Sequence, residues 1–221
     1  MKITLQGRIS KEEISRSIDL EVEFNLQERG EYTVLEYWGE DEEIFGSFIK
    51  DRYEEALFLK DVKNGIYSGT LVDVGKVGYG IYCDFNCEKD ALISLASLRE
   101  TFGGHLSTRQ YIQEYGIVEG LCVEIMVTRV DRGTDKIWAS FAPEWKERVL
   151  SRKGTILVSM CTRDELEGAL GETTFAKHIK IDSLCETSHM LTCLHDVDPP
   201  GIVSLLGKFI PRARFGIVGD L

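Results

Sequence analysis

Between Gly65 and Ala142 the chain passes through five strand-like segments separated by glycine-marked turns, and this order restricts the stretch to a small closed sheet. Ile66 to Val74 is rich in strand formers. Gly75, Gly78 and Gly80 then punctuate the way into a second run, Tyr79 to Phe85, which pairs with the first. After Asn86 to Lys89 come the compact run Asp90 to Leu98, a loop with a short helix, the alternating segment Leu121 to Val130, and Lys136 to Phe141. Within the loop, Ser107 and Gln110 have the spacing of a capping box, so a helix of about two turns is expected to end at Gly116.

Three strands, a helix, then two more strands is the order of an OB-type barrel. The stretch resembles the S1 domain, an RNA-binding member of that group. Gly69-Thr70-Leu71, Tyr79 to Cys83, Ala91 to Ala96, Val123 to Asp131 and Lys136 to Ser140 fit its five strand segments in order. The resemblance implies a nucleic-acid surface at named positions. Tyr79 and Tyr82 stand where the family places two stacking aromatics, and a base stacked on such a ring is worth about 1–3 kcal/mol. Asp131 and Lys136 match the acidic and basic positions at the last strand turn, where Arg132 adds a second cation. Ser94 replaces the family's usual histidine. The alternative for the tyrosines is that they only shield the open side of the barrel. Arg99 and Arg109 flank the Gly103-Gly104-His105 tip, which reads either as a phosphate contact or as a solvated loop.

The chain has 221 residues, 43% of them apolar and 29% charged, enough for several small domains with real cores. No stretch approaches the roughly 20 apolar residues of a membrane span, and the first residues lack the apolar segment of a secretory leader, so a cytoplasmic protein is expected. The six cysteines are scattered, which suits reduced, buried thiols. The net charge of −11 is unevenly spread: residues 1–59 carry 7 Lys and Arg against 15 Asp and Glu, whereas residues 60–142 carry 9 against 11. The acidic front suits a basic protein partner. The near-neutral middle is compatible with weak RNA binding dominated by stacking.

Residues 1–59 read as a small acidic β-α-β-β-α unit: a strand at Lys2 to Gln6, a helix from Lys11 to Ser17 capped by Ser10, strands at Leu20 to Leu26 and Tyr32 to Trp38, and a helix capped by Asp41. Leu20 to Leu26 can instead continue the first helix. Residues 60–143 form the barrel, and 144–154 a helical connector and turn. Residues 155–221 follow the β-α-β-β-α-β order of a ferredoxin-like domain, with Thr162 and Glu165 as a capping box, Asp198 capping a helix that opens on two prolines, and Pro211 stopping it. Leu59 to Asn64 and Ser151 to Gly154 read as linkers. The fold class is thus α+β multidomain. The whole chain is similar to a group of uncharacterised archaeal S1-like proteins, most clearly over Val77 to Leu98 and Phe102-Gly103-Gly104; that resemblance implies archaeal origin and RNA-related work.

Other chemistry is poorly supported. Cys185, His189, Cys193 and His195 invite a metal reading, but in an extended strand His189, Cys193 and His195 span about 20 Å, too far for one ion without a bend. Gly75 to Gly80 leads into a strand, not the helix a phosphate loop needs. No catalytic motif is evident, and neither a cofactor nor a metal is expected. The sequence therefore suggests a non-catalytic protein that binds single-stranded or looped RNA, within a larger RNA-processing, transcription or translation assembly. The alternative is a protein–protein scaffold or assembly factor that does not bind RNA.

Overall fold

A computed structural model of the chain describes residues 1–15, 20–29, 32–194 and 197–219, which divide into two compact units. The first is Met1–Val62 with Asn86–Glu88, and the second is Lys63–Phe85 with Lys89–Leu221. The end of the expected first helix, at Ser17, and His195 lie outside the described residues. No helix among the described residues is long and apolar enough to cross a membrane.

In the first unit, β1 (Lys2–Gln6), β2 (Val22–Arg29) and β3 (Tyr32–Gly39) form an antiparallel sheet with β3 in the middle. Leu20 to Leu26 therefore does not extend the first helix, α1 (Lys11–Ser15); Phe24 and Leu26 face the core at strand spacing. α2 (Glu42–Arg52) covers the sheet with Phe45 and Ile49. The Tyr37 and Phe45 rings lie 5.1 Å apart. Gly46 allows this approach, since a Cβ there would meet the Tyr37 hydroxyl at 2.5 Å. Asp41 precedes α2 but does not cap it through its side chain; its carboxylate accepts from the Glu21 amide at 3.0 Å.

The second unit begins with a closed five-stranded mixed barrel. Its strands are β4 (Gly65–Val72), β5 (Gly80–Asp84), β6 (Ala91–Ser94), β7 (Cys122–Asp131) and β8 (Lys136–Phe141), ordered β4-β5-β6-β8-β7 and closed by β7 on β4. Only β6 and β8 pair in parallel. Leu71, Ile81, Cys83, Ile93, Val123, Ile125, Val127 and Ile137 are buried at alternating strand positions and fill the interior. The run Asp90 to Leu98 is not one element: β6 ends at Ser94, which caps α3 (Leu95–Phe102) by accepting from the Ser97 amide at 3.1 Å. A second helix, α4 (Thr108–Glu114), follows with the expected capping box, Ser107 and Gln110 bonding reciprocally. Tyr115 ends it, and Gly116 turns away with φ +58°.

α5 (Pro143–Leu150) leads from the barrel to a four-stranded antiparallel sheet made of β9 (Ile156–Ser159), β10 (Ile179–Cys185), β11 (Ser188–Cys193) and β12 (Arg214–Ile217), in the order β10-β11-β9-β12. α6 (Arg163–Gly171) and α7 (Pro199–Phe209) cover one face around Ile156, Val158, Leu166, Leu191, Ile202 and Leu206. Thr162 with Glu165 caps α6, and Asp198 caps α7 by accepting from the Gly201 amide at 2.8 Å.

This sheet is joined to the barrel by polar and covalent links. The Ser188 hydroxyl donates to the Gly120 carbonyl (3.1 Å) and accepts from the Cys122 amide (3.0 Å), while Ser159 donates to the Glu119 carbonyl (2.6 Å). Tyr115 bridges Val218, and a disulfide joins Cys122 to Cys185. That bond corrects the expectation of six free thiols. Cys83, Cys87, Cys161 and Cys193 are outside any disulfide, and burial pushes the Cys161 thiol up to about 11.

Candidate nucleic-acid interface

Strand alternation sends Ile81 and Cys83 into the barrel and leaves Tyr82 on its outer surface. Strand register then fixes what lies beside it. Tyr82 is opposite Leu92 on β6, Leu92 is opposite Trp138 on β8, and Trp138 is opposite Arg129 on β7. One outward row therefore crosses four strands, with about 10 Å between Tyr82 and Trp138 at two strand spacings. The Arg129 guanidinium lies 4.9 Å from the centroid of the Trp138 ring, a cation–π contact at the end of the row.

Tyr79, just before β5, is 55% exposed. Its ring stands edge-to-face to Tyr82, at 88° and 6.3 Å, and the two hydroxyls are hydrogen-bonded at 3.0 Å. The pair is thus brought together as one braced corner rather than two parallel plates. The hydrogen bond to Tyr79, then burial, then the charges of Asp90 and Asp73 raise the Tyr82 pKa above its ordinary value. Asp90 is itself raised, mainly by burial and further by Asp84 and Asp73. Carboxylates thus lie beside the tyrosine end of the row, Asp73 among them paired with Lys76 at 2.5 Å.

The remaining expected positions are spread around this row. Ser94 spends its side chain on the α3 cap. Arg109 is exposed on α4, next to Thr108, whose hydroxyl donates to the Gly78 carbonyl in the loop before Tyr79 (2.8 Å). Asp131 and Lys136 are register partners at the foot of the β7–β8 hairpin. The Asp131 carboxylate accepts from the Gly133 and Thr134 amides (3.0 and 3.2 Å), and these bonds, the Gly133 one first, hold it below the usual carboxylate range. Its evident work is to shape the turn. Arg132 and Lys136 are exposed beside it.

Sequence reading missed Trp138 and Arg129 as surface partners, because only the register of three strand pairs aligns them with Tyr82. It also missed the groove into which that end of the row opens. The groove is about 550 Å³ and is lined by α3, α5 and the β7 and β8 strands, with Ser97, Glu100, Met126, Arg129, Trp138 and Lys146 among its walls.

Of the candidate metal ligands, His195 lies outside the described residues. Cys185 is in the disulfide, and His189 is buried with Nδ1 3.1 Å from the Ser183 hydroxyl and Nε2 3.1 Å from the Cys161 carbonyl. Among the described residues no group of three or more His, Cys, Asp or Glu is placed to hold an ion.

No curated protein matches the chain. A solved structure of a proposed exosome complex RNA-binding protein is similar at 15% identity, covering 68% of this chain and 84% of that one, with a TM-score of 0.29, too loose a likeness to carry an argument. Residues 62–153 match the DUF2110 central domain and residues 153–218 match the DUF2110 C-terminal domain. These two domains, consecutive and from one family, together span more than half of the sequence, and the chain belongs to the DUF2110 family.

Proposed function

We propose that the barrel is an OB-type, S1-like module that binds single-stranded or looped RNA on the outer row from Tyr82 to Trp138. Residues 60–143 are the binding module, and 155–221 a ferredoxin-like module that supports it. The observation carrying this reading is the alignment of Tyr82, Leu92, Trp138 and Arg129 across four strands, with Tyr79 braced on Tyr82. Flat aromatic faces and a stacked guanidinium are what unpaired bases pack on, and they tolerate any sequence. The strand order of the barrel and the β-α-β-β-α-β order of the following sheet support the two fold assignments. On this reading the protein is a non-catalytic, cytoplasmic member of a larger RNA-processing, transcription or translation assembly, working without a cofactor, and the acidic first unit takes a basic protein partner.

The test is fluorescence anisotropy of a labelled single-stranded RNA with the whole chain and with the double variant Tyr79→Ala, Tyr82→Ala. Losing one stacked base removes about 1–3 kcal/mol of binding. Wild-type binding that is undetectable at low salt sinks the proposal.

A second reading is favoured by one observation: Asp90 and Asp73 put negative charge beside Tyr82, and Asp84 adds to it next to Asp90. A protein scaffold carrying a basic partner at that corner would bind no RNA, and the same titration decides between the two.

A further inference from the structure

The row on the barrel is electrostatically lopsided, and the groove beside Trp138 lies at its favourable end. Asp90 and Asp73 bear on Tyr82, with Asp84 acting on Asp90 and only Asp73 paired to a cation, Lys76 at 2.5 Å, whereas among the described residues lining the groove the charges are Arg129, Lys146 and the single carboxylate of Glu100. Phosphates are repelled from the first and attracted to the second.

The two cations are held in place. The Arg129 side chain is 70% exposed, with its guanidinium carbon over the Trp138 ring and its carboxylate partner, Asp131, only at 4.0 Å. A guanidinium held over an indole and open to solvent is a group against which a nucleobase packs. The Lys146 ammonium, over the Phe102 ring at 5.6 Å, donates one hydrogen to the Thr101 carbonyl (2.7 Å) and has two more to offer an acceptor.

We infer that single-stranded RNA continues from the barrel row into the groove between α3, α5 and the β7–β8 strands, where Arg129 on Trp138 takes a base and Lys146 takes the adjoining phosphate. The inference rests on the RNA reading of the barrel and adds a direction: bases without close phosphates at the tyrosine corner, backbone in the groove.

The experiment is anisotropy of a labelled 12-nucleotide uridine RNA at two salt concentrations, on the full chain and on Trp138→Ala, Arg129→Gln and Lys146→Gln, with circular dichroism as the folding control. Trp138→Ala is expected to weaken binding by about 5- to 150-fold, the value of one stacked base. Lys146→Gln is expected to lower the log–log salt slope by about 0.7, one single-strand phosphate, which a merely structural role would not do, and Arg129→Gln to weaken binding with the slope unchanged, as the loss of a base contact does. Should Trp138→Ala fail to fold, 4-thiouridine crosslinking of the wild-type chain replaces it, with adducts expected on the tryptic peptide containing Trp138. If the wild type binds and the double tyrosine variant weakens it, while the groove variants keep both affinity and slope and crosslinks avoid Trp138, the inference fails and the RNA reading stands. If the wild type binds no RNA, the RNA reading fails and this inference with it. A polyglutamate peptide that occupies the groove where RNA does not also overturns it.

Discussion

Gly116 and Gly216 meet backbone to backbone: a Cβ built on Gly216 would stand 2.1 Å from the Gly116 carbonyl oxygen, and one built on Gly116 would stand 2.8 Å from the Gly216 carbonyl carbon. The turn leaving α4 is thereby pressed against β12, so the barrel's helical loop and the last strand of the sheet share one packed seam. Neither obstacle is a flexible side chain, so neither can swing away. Gly216→Ala is therefore expected to destabilise the second unit by about 1–3 kcal/mol through overpacking. A melting midpoint lowered by roughly 2–12 °C in calorimetry is the corresponding readout. An unchanged midpoint would mean that the seam is not closed in solution.

The Cys122–Cys185 bond fastens the same two parts from the other side, across 63 residues of sequence. Cross-linking a loop of that length restricts the unfolded chain, and its loss costs about 2–4 kcal/mol. Cys122→Ser with Cys185→Ser, or mild reduction of the wild type, should lower the urea midpoint accordingly. Mass spectrometry of unreduced peptides should find this pair linked and Cys83, Cys87, Cys161 and Cys193 alkylatable after unfolding.

His189 gives the stability a pH dependence of definite sign. Burial holds its pKa below the ordinary histidine value; the Cys161 carbonyl and Glu167 oppose the shift, and Arg163 adds to it. The unfolded chain thus binds a proton more readily than the native one, and stability is present above about pH 6.5 and declines as pH falls through and below that value. Urea denaturation at pH 7.5 and 5.5 should show the decline, and His189→Gln should flatten it. A steeper decline in the variant would contradict this assignment.

Lys60 and Lys63 are exposed on either side of buried Val62, at the boundary between the two compact units. Trypsin is expected to cut there first and leave a persistent fragment beginning near Asn64. Ser151 to Gly154 should be cut later, because the Gly154 amide donates to the Val218 carbonyl (2.8 Å) and ties this turn to the end of the last strand. Early cleavage at 151–154 would show the sheet to be independent of the barrel.

What could be read from the sequence is what local chemistry decides. The Ser107–Gln110 and Thr162–Glu165 boxes are written within four residues, and the structure forms both. The five barrel strands were legible from alternation and glycine spacing. The split of Asp90 to Leu98 was not, since a short apolar run suits a strand or a buried helix equally until its packing is known. Ser94 accordingly reads as a ligand position in sequence and is a helix cap in the structure. Trp138 and Arg129 lay beyond reach for another reason: alternation says that they point outward, but their alignment with Tyr82 depends on three separate pairings between distant segments. The Cys122–Cys185 pairing is non-local in the same sense.

Barrel closure sets a timetable for synthesis. β4 is completed only when Gly65 to Thr70 find Val127 to Cys122, some 50 to 60 residues later in the chain, and β6 gains its parallel partner only when Ile137 to Ala139 have emerged. Until then Leu71, Ile81 and Ile93 belong to a three-stranded ribbon with two open edges and an apolar face in water, the condition under which nascent strands pair with the wrong neighbour. Asp73, Asp84 and Asp90, which burden the finished surface with negative charge, lie within or beside that ribbon and would keep two such nascent copies apart.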